Sequence, residues 1–163
     1  MDETFVTHES LPPFYSPSSR VLILGSFPSI ASRAKGFYYA HPQNRFFRTL
    51  SLVFEKPYPV STKERKEFLL SNHIALYDVL YSCTIKGSSD SSIKEAVPTD
   101  LSGILSSCPI RRIFTTGKTA TDLFRKFHKE ECFYLPSPSG ANAFTSMEKL
   151  VLAYKAVREA VGE

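Results

Sequence analysis

The stretch GFYYAHPQNRFFR, residues 36–48, gathers side chains that can act together. Phe37, Tyr38, Tyr39, Phe46 and Phe47 supply flat rings, Asn44 a neutral amide, His41 an imidazole, and Arg45 and Arg48 positive charge. Rings stack, an amide both donates and accepts hydrogen bonds, and a guanidinium pairs with anions. The set suits a ligand that is flat, polar at its edge and accompanied by negative charge.

Three further loops carry candidate chemistry. GSFPS, from Gly25 to Ser29, includes Ser26 and Phe27 and follows an apolar run. It is neither GxxxxGK[ST] nor GxGxxG, so a phosphate-cradling P-loop is excluded and no dinucleotide site is indicated. Asp78 ends the run IALYD, and Thr115, Thr116 and Gly117 precede Lys118. A lysine at a helix start opposes the dipole, which favours a role facing an anion. LPSPSGANA, from Leu135 to Ala143, offers small polar residues, Ser137, Ser139, Gly140 and Asn142 among them, whose backbone amides suit an anion. No HExxH, paired-carboxylate spacing or nucleophile elbow is present. Cys83, Cys108 and Cys132 lack CxxC spacing, which argues against a zinc site or disulfide framework. No metal or cofactor is expected.

These loops need elements to position them. Val21 to Leu24, Ile74 to Tyr77, Ile113 to Phe114 and Cys132 to Leu135 are short apolar runs of the kind that form strands buried on both faces. Helical spacing falls between them. Pro42 suits a first turn, with Phe46, Phe47, Leu50, Val53 and Phe54 following. Ser61 with Glu64 and Thr145 with Glu148 read as capping boxes, the second heading a helix with Met147, Leu150, Val151, Tyr154 and Val161 on one face. Leu101, Ile104 and Leu105 repeat the period, as do Ala120, Leu123, Phe124 and Phe127. Strands alternating with helices predict an α/β fold: a three-layer α/β/α sandwich around a short, mainly parallel four-stranded sheet. One domain over 1–163 is expected, with residues 1–20 a Pro/Ser-rich lead-in. Ligands of such folds bind beyond the carboxyl ends of the strands.

Composition sets outer limits. The chain has 163 residues, 42% of them apolar and 22% charged, which is ordinary for a folded protein. A net charge of +4 mildly favours a polyanionic partner. MDETFVTHES is acidic without a long apolar run, and no stretch reaches membrane-spanning length. A soluble, cytoplasmic monomer is the expectation, without a membrane partner.

GSFPS, GFYYAHPQNRFF and LPSPSGANA, in that order from Val21 to Ala143, resemble the uracil-DNA glycosylase superfamily, and most closely its hypoxanthine (deoxyinosine) branch. The resemblance implies a short parallel sheet between helices and an enzyme that flips a deaminated base out of DNA and hydrolyses its N-glycosidic bond. Single- or double-stranded DNA would be the partner. An extruded base needs a stacking face, polar groups for its edge and cations for flanking phosphates. On this reading Tyr39 stacks on the base and Asn44 binds the base or the attacking water. Gly25, Ser26, Phe27 and Asp78 line the base site, while His41, Arg45, Arg48, Lys118, Ser137, Ser139, Gly140 and Asn142 face DNA.

The departures from the family are as informative. Other branches carry an acid or amide where Phe27 stands, so Asn44 inherits the main catalytic role. Asp78 aligns with an Asn that reads the uracil edge; an ionised Asp can only accept hydrogen bonds. The intercalating Leu of uracil-specific relatives corresponds to Ser139, so a wedge must be smaller or come from elsewhere. No lysine or terminal amine is evident for Schiff-base chemistry, which implies a monofunctional enzyme.

Plainer readings stand beside these. His41 can simply cap a helix, and the other histidines read as structural. Phe46 and Phe47 read as core, and Arg45 and Arg48 as solvated charges. Uracil or mismatch specificity, or a DNA-binding protein that lost its chemistry at Phe27, are the alternative functions.

Overall fold

The apolar runs form the expected strands; those from Val21 and Ile74 are buried on both faces, whereas Tyr134 in the last run is 54% exposed. The computed structural model describes residues 3–162. Among these the chain runs β1 (Glu3–Thr7), β2 (Val21–Gly25), α1 (Ile30–Lys35), α2 (Phe46–Phe54), α3 (Thr62–Ser71), β3 (Ile74–Asp78), β4 (Leu80–Lys86), β5 (Lys94–Pro98), α4 (Ser102–Ser107), β6 (Arg112–Thr116), α5 (Lys118–Phe127), β7 (Cys132–Leu135) and α6 (Met147–Val161). A 3₁₀ turn, Asp90–Ser92, lies between β4 and β5.

β3, β2, β6 and β7 form one four-stranded sheet in that order, every pair parallel. Val21, Leu22, Ile23 and Leu24 are each 0% exposed. Burying one such side chain stabilises by about 1.5–3 kcal/mol, so β2 anchors the core. α3 packs on β3, α5 on β6 and β7, and α6 on both α2 and β2, giving the three-layer α/β/α arrangement. The register pairs Gly25 with Asp78 and Thr116 with Leu135. The carboxyl ends of all four strands therefore open together.

A second, antiparallel sheet of order β1-β4-β5 is not anticipated by the sequence. The lead-in of residues 1–20 is thus not all lead-in: its ETFVT segment pairs with β4, Thr7 opposite Ser82. The start of that lead-in, Met1 and Asp2, lies outside the described residues. β4 begins two residues after Asp78, so this sheet carries the N-terminal segment back to the open ends of the parallel strands.

Two helix starts differ from expectation. α2 begins at Phe46 rather than at Pro42, because the backbone amides of residues 43–45 go elsewhere. Gln43 donates to the His41 ring, Asn44 to the His41 carbonyl and Arg45 to the Pro138 carbonyl. α6 is capped by Ser146, which accepts from the Lys149 amide, and not by Thr145. The Thr145 hydroxyl is taken by Asn142. The Ser61–Glu64 capping box is present in full. No described helix is long and apolar enough to cross a membrane.

Candidate active site

Gly25, Ser26, Phe27, Tyr39, His41, Asn44, Asp78, Ser137, Ser139 and Gly140 line a single cleft of about 430 Å³ beyond the strand ends. Three motifs far apart in sequence therefore meet in one place. A wider depression of about 1010 Å³ between α2 and α6 contains none of these residues.

The floor is Gly25. A β-carbon there would sit 2.6 Å from Asp78 Oδ1 and 3.7 Å from both Thr116 Oγ1 and Tyr39 Oη. Only glycine leaves that floor open.

Tyr39 forms a wall. Its backbone is left-handed, φ 54°, which a tyrosine adopts only when its surroundings hold it. One ring face lies against Phe46, centroids 3.8 Å apart and nearly parallel, so Phe46 is core that backs the platform. Burial, then the Asp78 charge, push the Tyr39 hydroxyl above its usual range, offset in part by Thr116. The buried hydroxyl lacks a hydrogen-bond partner of acceptable geometry. Leaving such a group unsatisfied costs about 1–3 kcal/mol.

Asn44 stands before α2 rather than within it. Its Oδ1 accepts from the Phe46 amide at 2.9 Å, which fixes the amide's orientation. The side-chain NH₂ is then the end available to the cleft.

The late loop is drawn onto this stretch by Arg45. Its guanidinium donates to the carbonyls of Thr145, Ser139 and Asn142 at 2.6, 3.1 and 3.0 Å. Asn142 braces the same loop through the Ser137 carbonyl and the Thr145 hydroxyl. Gly140 closes against Gln43, where a β-carbon would come within 2.8 Å. Arg45 and Asn142 are thereby committed to shaping the loop. Arg48 stacks over Tyr58 at 4.8 Å, and Lys118 pairs with Asp122; neither lines the cleft. No Lys or Arg is among the cleft's described lining residues; its polar lining groups include hydroxyls and backbone amides.

Two residues that the sequence does not single out belong to the site. Asp90, from the 3₁₀ turn, lines the cleft and accepts from the Ser26 hydroxyl at 2.6 Å. Burial raises its pKa; the Ser26 hydrogen bond opposes that and the charge of Asp78 adds to it. His8, 1% exposed, contacts Asp78 Oδ2 at 2.8 Å. The first hides in a Ser-rich loop and the second behind an acidic N-terminus. The β-prone ETFVT segment beside His8 was the one local signal available.

Residues 12–160 match the model of the uracil DNA glycosylase superfamily. The chain is 32% identical to "Hypoxanthine DNA glycosylase" of Methanosarcina barkeri (strain Fusaro / DSM 804), over 82% of this chain and 87% of that protein. It is 34% identical to the protein of the same name from Methanosarcina acetivorans, over 80% and 85%. A solution NMR structure from Methanosarcina acetivorans, described as a candidate uracil DNA glycosylase, superposes with a TM-score of 0.77 at 31% identity, covering 93% of this chain and 96% of that one. Motif order, cleft and sheet topology agree with these matches, and the chain belongs to the uracil DNA glycosylase superfamily.

Proposed function

We propose that this chain is a monofunctional DNA glycosylase that excises hypoxanthine from deoxyinosine and leaves an abasic site. The observation that carries this reading is the convergence of Tyr39, Asn44 and Asp78 on one base-sized cleft, in a chain similar to proteins named for that base. The flipped base stacks on Tyr39 with its edge toward Asp78 and Gly25. Xanthine shares the edge that hypoxanthine presents there.

Glycosidic cleavage passes through an oxocarbenium-like state. The C1′–N9 bond breaks with its electron pair on the base, and water adds to C1′. The Asn44 NH₂ stabilises the charge developing on the purine, as a preorganised donor in a closed site does. With Phe27 unable to act as a base, Asp90 is the carboxylate that takes the proton from the water. The proton returns to the purine through solvent. No lysine is among the described cleft residues, in keeping with hydrolysis rather than a Schiff base.

The DNA surface of this reading surrounds the cleft: His41, Ser137, Ser139 and Gly140 at its rim, Arg48 and Lys118 farther out. Phe144 is 94% exposed at the end of the late loop. It supports a wedge there in place of Ser139. The protein works as a cytoplasmic monomer on this reading.

The test is alkaline nicking of duplexes carrying deoxyinosine, deoxyuridine or deoxyxanthosine. Cleavage at deoxyinosine is expected. Cleavage confined to deoxyuridine would move the chain to uracil specificity. Binding without cleavage would support the DNA-binding reading that Phe27 suggests.

A further inference from the structure

His8 reaches Asp78, a lining residue of the cleft, from the other end of the chain. β1 ends at Thr7, and the His8 amide donates to the Tyr81 carbonyl at 2.7 Å, which fixes the backbone beside the ring. The imidazole packs among Phe27, Tyr38 and Tyr77, with ring centroids 5.9, 6.1 and 4.8 Å away.

Both ring nitrogens are engaged. Nδ1 lies 2.6 Å from the Leu11 carbonyl oxygen, which only accepts, so Nδ1 carries a proton. Nε2 lies 2.8 Å from Asp78 Oδ2. Two lone pairs at that separation repel, so a second proton stands between them. Either an imidazolium donates to a carboxylate or a carboxyl group donates to an imidazole. Both forms have zero net charge, and in both the proton is held on the Oδ2 side. Oδ1 is left as an acceptor, turned toward Gly25 on the cleft floor.

We propose that His8 is a positioning residue that keeps one proton in its contact with Asp78, so that Asp78 meets the flipped base as a net-neutral acceptor. The proposal rests on the reading of the cleft as the site of a deaminated base. Deamination turns adenine N1, an acceptor, into the N1–H of hypoxanthine. Oδ1 accepts from that N–H and faces a lone pair on adenine. Without the shared proton Asp78 would carry a full negative charge beside a base that departs as an anion. With it, the contact reads the base edge and does not oppose departure.

Few groups nearby complicate this. Tyr38 and Tyr39, from the loop after α1, and Tyr77 of β3 are all held above their ordinary values, by burial and then by Asp78. Arg33 of α1 lies over Phe27 at 5.6 Å, and Asp90 faces Asp78 from the 3₁₀ turn. Burial pulls the His8 imidazole down, but the hydrogen bond to Asp78 and its charge outweigh this, and His8 is raised above 6.5. For a raised group the stabilisation is whole below 6.5 and is lost as pH rises through the folded value. The shared proton is therefore held on the acid side of the raised value and is lost as pH rises through it.

The experiment uses the full chain labelled with ¹⁵N-histidine, with His8→Gln to assign the resonance among the four histidines. At pH 7 the His8 nitrogens should both show protonated or shared-proton shifts, with a titration midpoint above 6.5. In parallel, single-turnover excision from a deoxyinosine duplex should fall about tenfold per pH unit above that same value. His8→Gln keeps a donor to Oδ2 but cannot hold the proton; it should be slower at neutral pH and lack the alkaline limb. An unprotonated Nε2 at pH 7 would overturn the proposal. So would an unchanged pH profile in His8→Gln accompanied only by a matching fall in Tm. If the wild type excises no deoxyinosine at any pH, the activity reading fails, and the nitrogen shifts alone decide where the proton is.

Discussion

Asn44 Oδ1 accepts the Phe46 amide at 2.9 Å, so one end of the side chain holds the first amide of α2 while the NH₂ end is free to act as a donor in the cleft that Asn44 lines. The two functions can be separated. Asn44→Asp keeps the acceptor and therefore the cap, but at neutral pH has no donor. It should hold Tm near wild type while single-turnover excision falls about 10²–10³-fold, the usual cost of one preorganised donor. Asn44→Ala should lose the same rate and also about 1 kcal/mol of stability with the cap. If Asn44→Asp retained the wild-type rate, Asn44 would be only a cap.

Asp90 should account for the acid side of the pH profile. A general base works only when deprotonated, and burial raises this carboxyl above its ordinary 3.8. Single-turnover excision should therefore fall as pH drops through the raised value. Asp90→Asn should lose that limb and about 10²-fold in rate. An unaltered acid limb in Asp90→Asn would assign the water to another group.

The parts of this site that were legible in the sequence share a physical cause. Val21–Gly25 and Ile74–Asp78 are buried along their length, so their sequences begin as apolar runs. Their ends carry Gly25 and Asp78, which the motifs mark. The antiparallel sheet is different: ETFVT and KEAVP are largely exposed, so no apolar run marks them, and the β-prone composition of ETFVT is a weak signal on its own. His8 was hidden for that reason. Its partner is 70 residues away, and only the pairing of β1 with β4 brings them together. Arg45 was legible as a cation near a motif, but its carbonyl partners lie 94 to 100 residues further on. Tertiary contacts of that range leave no local signal.

Tyr39 should separate stacking from hydrogen bonding. Tyr39→Ala removes a base–aromatic contact of roughly 1–3 kcal/mol, so excision should fall about tenfold to a hundredfold. Tyr39→Phe keeps the ring and deletes a buried, unpartnered hydroxyl. It should raise Tm, while any loss of excision measures what the hydroxyl gives the substrate. A Tyr39→Ala enzyme with full activity would remove this ring from the base site.

Arg45 should behave as the clamp of the late loop rather than as a phosphate ligand. Arg45→Lys retains charge but cannot reproduce a fork reaching three carbonyls. It should lower Tm and slow excision, while the dependence of DNA binding on salt keeps its wild-type slope. A slope reduced by about one would instead make Arg45 a phosphate contact.

Phe144 is the last element. An aromatic ring 94% exposed contributes little to folding, and nothing in the packing of the late loop requires it. The loop it extends is held against the cleft rim by Arg45 and by the approach of Gly140 to Gln43. A ring carried there can enter the gap that a flipped base leaves, repaying part of the unstacking cost of a few kcal/mol. That cost exists in a duplex and is far smaller in a single strand. Phe144→Ala should therefore leave the unfolding free energy within about 0.5 kcal/mol of wild type. It should slow excision from duplex deoxyinosine about tenfold or more, and leave excision from single-stranded deoxyinosine nearly unchanged. Equal losses on both substrates would mean that Phe144 contacts the strand itself, and no loss on either would return the wedge to the rim serines. The ratio of duplex to single-strand rates is the measurement that distinguishes them.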